Sequence, residues 1–313
     1  MKKIFLMLTL AYAATAGCKE NSMLTDSSNL NNEVKDNNIP NVNAASIYTS
    51  NMSYVLGDVK QAFIQNKITT TAQADNLIIG FKTMKVNGIR MPIYPTGANP
   101  NVTMYDYFYN KAIAAGFKIF ANPAQSSGGK HIACGSLTED CTTLNVTAKT
   151  IALVNAIKAY ATSYKCTWIN PFNEDGSPGD IWSSSQMNTI YSSLKGKVNG
   201  AGLIGPDVWG IPGSISVLNS TAIENSIVIA STHNLGFNHT LWPSFKTLAA
   251  VANLPVWDSE VNDNDVYGTG SRLDAALAIS VNGLVLYDSW RSISLTNGCV
   301  NSAGQVMMDK YLN

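Results

Sequence analysis

The chain has 313 residues, 45% of them hydrophobic and 13% charged, which is ample for one large core. Lysine plus arginine is 21 and aspartate plus glutamate is 21, so the formal net charge is zero. That balance excludes electrostatic capture of nucleic acid or of an anionic membrane as the organising function. With three histidines and no two-plus-two cysteine spacing, a zinc site is excluded as well, and no metal or cofactor is expected.

Taken from the N-terminus, Lys2 and Lys3 precede the apolar run IFLMLTLAYAATAG, which predicts a signal peptide over residues 1–17. The following TAGC resembles a bacterial lipoprotein box, with Thr15 where Leu is usual, so Cys18 is expected to be lipidated. The alternative is ordinary cleavage, giving a secreted or periplasmic protein. Lys19 to Ala44 holds eight Asn in 26 residues and cannot bury enough apolar area to offset its chain entropy. Residues 18–44 therefore read as a lipid-anchored, disordered tether on an outer-membrane or cell-surface lipoprotein. The folded domain spans 45–313, is expected to be monomeric, and meets the membrane only through the anchor.

From about residue 75 apolar runs alternate with amphipathic segments. ADNLIIGFKTMKVNG predicts a helix, IRMPIYP a strand, MYDYFYNKAIAAG a helix and FKIFANP a strand. The next helix is NVTAKTIALVNAIKAYATSY, with Asn145 as a possible cap, followed by the strand CTWINPFNE. Then come helix SSQMNTIYSSLKGKVNGAG, strands LIGPD and SIVIASTH, helix SFKTLAAVANL, strand PVWDSE, helix RLDAALAISVNG and strand LVLYDSW. AGQVMMDKYLN predicts a closing helix, and IYTSNMSYV is the candidate first strand. Eight βα units predict an α/β fold, a closed (β/α)8 TIM barrel without an accessory β-sandwich. No glycine-rich nucleotide loop follows the first strand, which disfavours an open doubly wound sheet. Cys134 and Cys141 lie in one Gly- and Ser-rich excursion and are expected to pair, whereas Cys166 reads as a buried free thiol.

In such barrels chemistry gathers at the C-terminal strand ends. Those positions carry Arg90 and Tyr94, Asn122, Asn173 and Glu174, Asp207 and Trp209, His233 and Asn234, Asp258 and Glu260, and Asp288 and Trp290. Alternation places Trp168, Asn170, Phe172 and Glu174 on one side of the fourth strand, and Val256, Asp258 and Glu260 on one side of the seventh, so that both glutamates face the mouth. Two carboxyl groups at one mouth suit glycosidic bond cleavage: one gives a proton to the departing oxygen, and the other attacks or stabilises the sugar carbon.

These residues resemble clan A of the glycoside hydrolases, the retaining (β/α)8 enzymes. The clan places Asn-Glu at the end of strand four and Glu at the end of strand seven, here Asn173-Glu174 and Glu260. GIRMPIYP resembles its second strand, whose Arg is Arg90, and YDSW its aromatic after strand eight, Trp290. IRMPIYP, KIFANP and PFNE are closest in flavour to family 30 and related endo-glycanases. Asp175 stands where family 30 has Pro, and His233 where the clan often has Tyr.

The resemblance implies Glu174 as acid/base and Glu260 as nucleophile of an endo-acting glycosidase on a β-linked polysaccharide or oligosaccharide. Arg90 beside Glu260 would hold it ionised. Phe172 and bound sugar would desolvate Glu174 and keep its proton on. Asn173 is expected to meet the sugar 2-hydroxyl, and His233 to orient Glu260 or a sugar hydroxyl. Trp290, Tyr94 and Trp209 are expected to touch substrate; Trp182 and Trp242 are subsite walls or loop anchors; Trp168 and Trp257 are core. Asp258 is a candidate partner of Arg90. A rival from another class is an inactive barrel that only binds surface glycans.

Overall fold

The computed structural model describes residues 52–138, 147–176, 181–264, 266–267 and 270–312. The expectations for residues 1–44, with the signal peptide, Cys18 and the tether, lie outside the described residues. Eight parallel strands close into a barrel: β1 Tyr54–Asp58, β2 Gly88–Ile93, β3 Lys118–Pro123, β4 Trp168–Ile169, β5 Gly202–Pro206, β6 Ile229–His233, β7 Val256–Val261 and β8 Gly283–Leu286. Each neighbour in the ring is also its neighbour in sequence, and β1 pairs with both β2 and β8 to complete closure. The expected (β/α)8 barrel is the fold found.

Outside the strands lie α1 Lys60–Ile64, α2 Thr71–Thr83, α3 Val102–Ala114, α4 Gly128–Cys134, α5 Thr147–Ser163, α6 Ser184–Leu194, α7 Ile211–Ser220, α8 Trp242–Val251, α9 Arg272–Ala278 and α10 Ser302–Leu312. Polar caps start several of them. Thr70 with Gln73, Ser183 with Gln186 and Ser271 with Asp274 form reciprocal capping boxes at α2, α6 and α9. The apolar stripes of these helices bury against the outer face of the strands in the larger core. A smaller core fills the barrel itself: Leu56, Phe120, Trp168, Ile204, Ile229, Trp257 and Val285. Trp168 and Trp257 meet edge to face there, with ring centroids 4.8 Å apart, so both tryptophans are core as expected.

The structure moves several boundaries. The first strand runs over Tyr54–Asp58, meeting the expected IYTSNMSYV only at Tyr54 and Val55 and carrying Asp58 beside Arg90 of β2; residues 47–51 of the expected strand lie outside the described ones. The fourth strand pairs only over Trp168–Ile169. Helices α1 and α7 were not expected, and neither was α4, which forms within the excursion that carries Cys134. Cys166 is free and buried, as expected. Cys134 and Cys299 each take part in a disulfide; the expected pairing of Cys134 with Cys141 involves a residue outside the described ones.

Two large indoles inside one barrel need space from their neighbours. Gly283 on β8 provides it, since a Cβ there would lie 2.4 Å from Nε1 of Trp257. Gly283→Ala should therefore destabilise the fold by about 1–3 kcal/mol, the usual range for overpacking. Urea midpoints of the variant and the wild type measure this, and equal midpoints would show that Trp257 can shift at no cost.

Candidate active site

The mouth is built around a buried guanidinium. Arg90 projects from β2 and is fully excluded from solvent. One of its terminal nitrogens donates to Asp58 Oδ2 at 2.6 Å, and the other to Glu260 Oε2 at 2.6 Å and to the Ser259 carbonyl at 3.1 Å. Strands β1, β2 and β7 are thus tied by one planar group. Asp58 is held in turn by the backbone N–H groups of Lys60 and Asp288 at 2.8 and 3.0 Å. The Arg90 partner is Asp58, not Asp258.

Glu260 reaches this position through an irregularity rather than by simple alternation. Trp257 lies inside the barrel and Ser259 points into the mouth, donating to Asp207 Oδ1 at 2.5 Å. The register then slips: Thr232 pairs with Asp258 but His233 pairs with Glu260, one residue further on. The extra residue turns Glu260 to the same side as Ser259. Asp258 is on the other face, within the field of Arg272 on α9, and burial first of all raises its carboxyl to about 7. The expectation that Asp258 and Glu260 share a side is corrected by this bulge.

On β4 the alternation fails too. After Ile169 the Asn170 side chain accepts from Phe172 N–H at 2.9 Å, and Phe172 turns outward against Trp182 and Tyr191. Phe172 therefore packs in the outer core and does not face Glu174. Glu174 comes back to the mouth with a left-handed backbone, φ +58°, while its N–H donates to the Asp207 carbonyl at 2.8 Å. A non-glycine residue in that region is uncommon, and such strain collects at functional sites. Asp175 secures the turn. Its carboxylate accepts from the N–H groups of Gly129, Lys130 and Asn173 and from Trp182 Nε1, at 2.9 to 3.0 Å. That anchoring explains an Asp at this position.

His233, at the end of β6, stands between the two glutamates. Its Nδ1 is 3.3 Å from Glu174 Oε1 and 4.0 Å from Glu260 Oε2. Burial opposes its charged form, but Glu260, the Glu174 hydrogen bond and Asp207 outweigh burial and raise its pKa. Burial likewise opposes the Glu260 carboxylate, but Lys60, Arg90 and His233 prevail and hold it well below the usual carboxylate range.

Asn173 is buried beside them. Its Oδ1 accepts from Lys60 Nζ at 2.8 Å and from Asn122 Nδ2 at 2.7 Å, and its Nδ2 donates to the Gln125 carbonyl at 2.8 Å. Lys60 also approaches Glu260 Oε2 at 3.4 Å. Lys60 and Asp58 were missed in the sequence. The available signal was a charged pair astride the end of the apolar run YVLGD, obscured by placing the first strand too early.

Of the thirteen strand-end positions between Arg90 and Trp290, the structure brings Arg90, Asn122, Asn173, Glu174, Asp207, His233 and Glu260 together. Trp209 is 52% exposed and leans on Gly236, next to the end of β6. Tyr94 is not among them: it lines a separate cavity of about 290 Å³ between α3 and α5 with Tyr105, Tyr160 and Tyr164. The chain leaves β2 at Ile93, so alternation no longer directs Tyr94 inward. Trp290 is only 7% exposed, with Nε1 bound to Asp288 and the Arg291 guanidinium over its ring at 4.8 Å. It is a packed wall, not an open platform. Trp182 and Trp242 are fully buried and act as anchors.

Glu174, His233 and Glu260 place their donor atoms within 4.8 Å of one another, a spacing that a metal ion can span. The charges around them do not fit one. Arg90 and Lys60 already occupy Glu260 Oε2, and a divalent cation would meet both at close range. The same spacing brings the two carboxyl groups within reach of one sugar carbon.

No family model matches the chain, and no curated protein sequence matches it. Solved structures do. The chain is similar to a GH30 endoxylanase from Clostridium papyrosolvens C71, at 14% identity and TM-score 0.57, covering 84% of this chain and 72% of that one. It is similar to a GH113 β-1,4-mannanase, at 12% identity and TM-score 0.53, covering 83% and 98%. The catalytic domain of a β-amylase from Paenibacillus polymyxa aligns at 9% identity and TM-score 0.57, covering 84% and 98%. The neighbours thus include clan A glycoside hydrolases on the same barrel, at identities that speak for the fold. Different activities share this fold, so function must be argued from the mouth.

The raised His233 pKa gives a signed pH dependence. A group bound more tightly to its proton in the folded state stabilises the fold fully below its unfolded pKa and loses that contribution as pH rises through the folded value. The stability advantage of wild type over His233→Gln should be largest below about pH 6.5 and shrink above it. Chemical denaturation across pH 5 to 9 measures the difference; a constant gap would mean that the imidazole does not titrate differently in the two states.

Proposed function

We propose that the protein is a retaining glycoside hydrolase that cleaves β-linked polysaccharide or oligosaccharide by double displacement. The observation that carries this reading is the pair Glu174 and Glu260, whose nearest donor oxygens lie within 4.8 Å across the mouth. Retaining enzymes hold their two carboxyl groups about 5–5.5 Å apart, whereas inverting enzymes need about 6.5–9.5 Å to admit a water. The names of the structural neighbours, an endoxylanase and a β-1,4-mannanase among them, support the same class.

The environments divide the roles. Glu260 is ionised under the combined charge of Lys60, Arg90 and His233, as a nucleophile must be. All of its side-chain contacts among the described residues fall on Oε2, so Oε1 is the oxygen that attacks the sugar carbon. Among the described residues Glu174 has no fixed cation at hydrogen-bonding distance; its partner is His233, a group that can exchange a proton. Glu174 delivers the proton to the departing oxygen, then takes one from the water that opens the glycosyl-enzyme. The exposed ring of Trp209 offers a stacking surface at the rim, consistent with an open cleft and endo action on a chain.

Two tests follow from the role assignment. Early NMR spectra of the hydrolysis should show the anomer of the starting bond as first product. On aryl glycosides with acidic phenols, Glu260→Ala should be inert, while Glu174→Ala should complete the first step, accumulate glycosyl-enzyme and be rescued by azide as a β-glycosyl azide. Azide rescue of Glu260→Ala alone, as an α-azide, would exchange the two roles, and wild-type activity in both variants would place the site elsewhere.

The proposed location is outside the cell, on a lipid anchor at Cys18. Labelled palmitate should enter the full chain and not Cys18→Ala; equal labelling would sink the anchor.

A further inference from the structure

In that scheme Lys60 serves only as one of the charges on Glu260, yet it sits 2% exposed at the centre of the mouth. It opens α1 directly beyond β1, so the chain spends its first turn after the strand on burying an ammonium. Burying an ammonium is costly unless anions and acceptors meet it. The charged groups that face Lys60 are Asp58, Arg90, Glu174 and Glu260. Burial first, then Arg90, outweigh the three carboxylates and lower its pKa from the usual lysine value.

Its contacts are selective. An ammonium donates only, so the atom of Asn173 that it meets at 2.8 Å must be the amide oxygen. The Gln125 carbonyl accepts only, so the atom facing it must be the amide nitrogen. Lys60, Asn122 and Gln125 therefore permit one orientation of Asn173, with one Nδ2 hydrogen left for a ligand. At Glu260, Lys60 joins Arg90 on Oε2.

We infer that Lys60 is a positioning residue that commits Oε2 of Glu260 to the protein, leaves Oε1 to the sugar, and fixes the Asn173 amide. The kinetic consequence rests on the glycosidase reading. In the first step Oε1 bonds the sugar carbon, the bond to the leaving oxygen breaks with its electron pair, and that oxygen takes the Glu174 proton. The negative charge of Glu260 is consumed. In the second step water bonds the carbon, its proton goes to Glu174, and the pair of the carbon–Oε1 bond returns to Glu260. A cation on Oε2 therefore retards the first step and assists the second. Without Lys60 the protein should partition toward glycosyl-enzyme.

The test uses the chain with ¹³C-carboxyl glutamate. Its six glutamates give few signals, and Glu260 is assigned by its loss in Glu260→Gln. In Lys60→Met the Glu260 titration should move up by about one pH unit or more, the shift expected on losing a close opposite charge. Lys60→Gln keeps a donor for Asn173 without the charge; it should show the same shift, and it serves if Lys60→Met does not fold. The second readout is quenched intact mass with 2,4-dinitrophenyl β-cellobioside and β-xylobioside. The ratio of glycosyl-enzyme to free enzyme should rise by up to about tenfold, the equivalent of one pKa unit. A Glu260 titration unmoved in both variants overturns the inference whatever the kinetics. If wild type leaves both glycosides intact, the glycosidase reading loses its support, and the titration still decides the role of Lys60.

Discussion

A guanidinium cannot shed its charge, so burying one forces the protein to bring anions to it. Arg90 is that group here. It has no solvent access, and its two terminal nitrogens point in different directions, one at Asp58 and one at Glu260. The planar fork sets both distances at 2.6 Å and so fixes the end of β1 relative to the end of β7. The Asp58 carboxylate then takes the backbone N–H groups of Lys60 and Asp288, which draws the starts of the loops after β1 and β8 into the same cluster. Closure of the barrel and ionisation of Glu260 are therefore one electrostatic fact. The Glu260 carboxylate is held anionic by the same group that fastens the seam.

Much of this was visible in the sequence, for a definite reason. A charged residue in or just past a buried apolar run breaks the run's hydrophobic logic, as Arg90 does within β2, Glu260 near the end of β7 and Glu174 beyond β4. The element rhythm was legible for the same reason: the helices carry polar caps and apolar stripes that the strands lack. What could not be read is whatever depends on a local break in alternation. The bulge at Ser259 puts Asp258 and Glu260 on different faces although they are two apart in sequence. Phe172 looks inward by counting and packs outward in fact, because Asn170 ends the strand by bonding the Phe172 N–H. Tyr94 fails likewise, one residue beyond its strand. Trp290 shows another limit: position after strand eight was right, but exposure depends on Asp288 and Arg291, which cover it.

Lys60 and Asp58 were lost through an error of register rather than of chemistry. With the first strand read as IYTSNMSYV, the mouth falls at residue 55, and the charges at 58 and 60 look like the start of a solvated helix. Shifting the strand to Tyr54–Asp58 turns them into mouth residues. A one-strand displacement of a few residues is enough to hide half of a charge network, since a strand end is where side chains change from packing to chemistry.

The two glutamates are held by opposite means, and this contrast is what makes them chemically different. Glu260 sits on a paired strand, and its Oε2 is fixed by the Arg90 guanidinium and the Lys60 amine. Its position and charge are set by electrostatics, which resists protonation but leaves Oε1 uncommitted. Glu174 is placed by its backbone: a left-handed residue, an N–H on the Asp207 carbonyl, and the adjacent Asp175 clamped by four donors. None of those contacts touches the Glu174 carboxyl, which is left to His233 and whatever occupies the mouth. A backbone can thus fix where an acid stands without fixing its charge, and a salt bridge fixes both. The stretch after β4 and the end of β7 use these two devices separately, one for each glutamate.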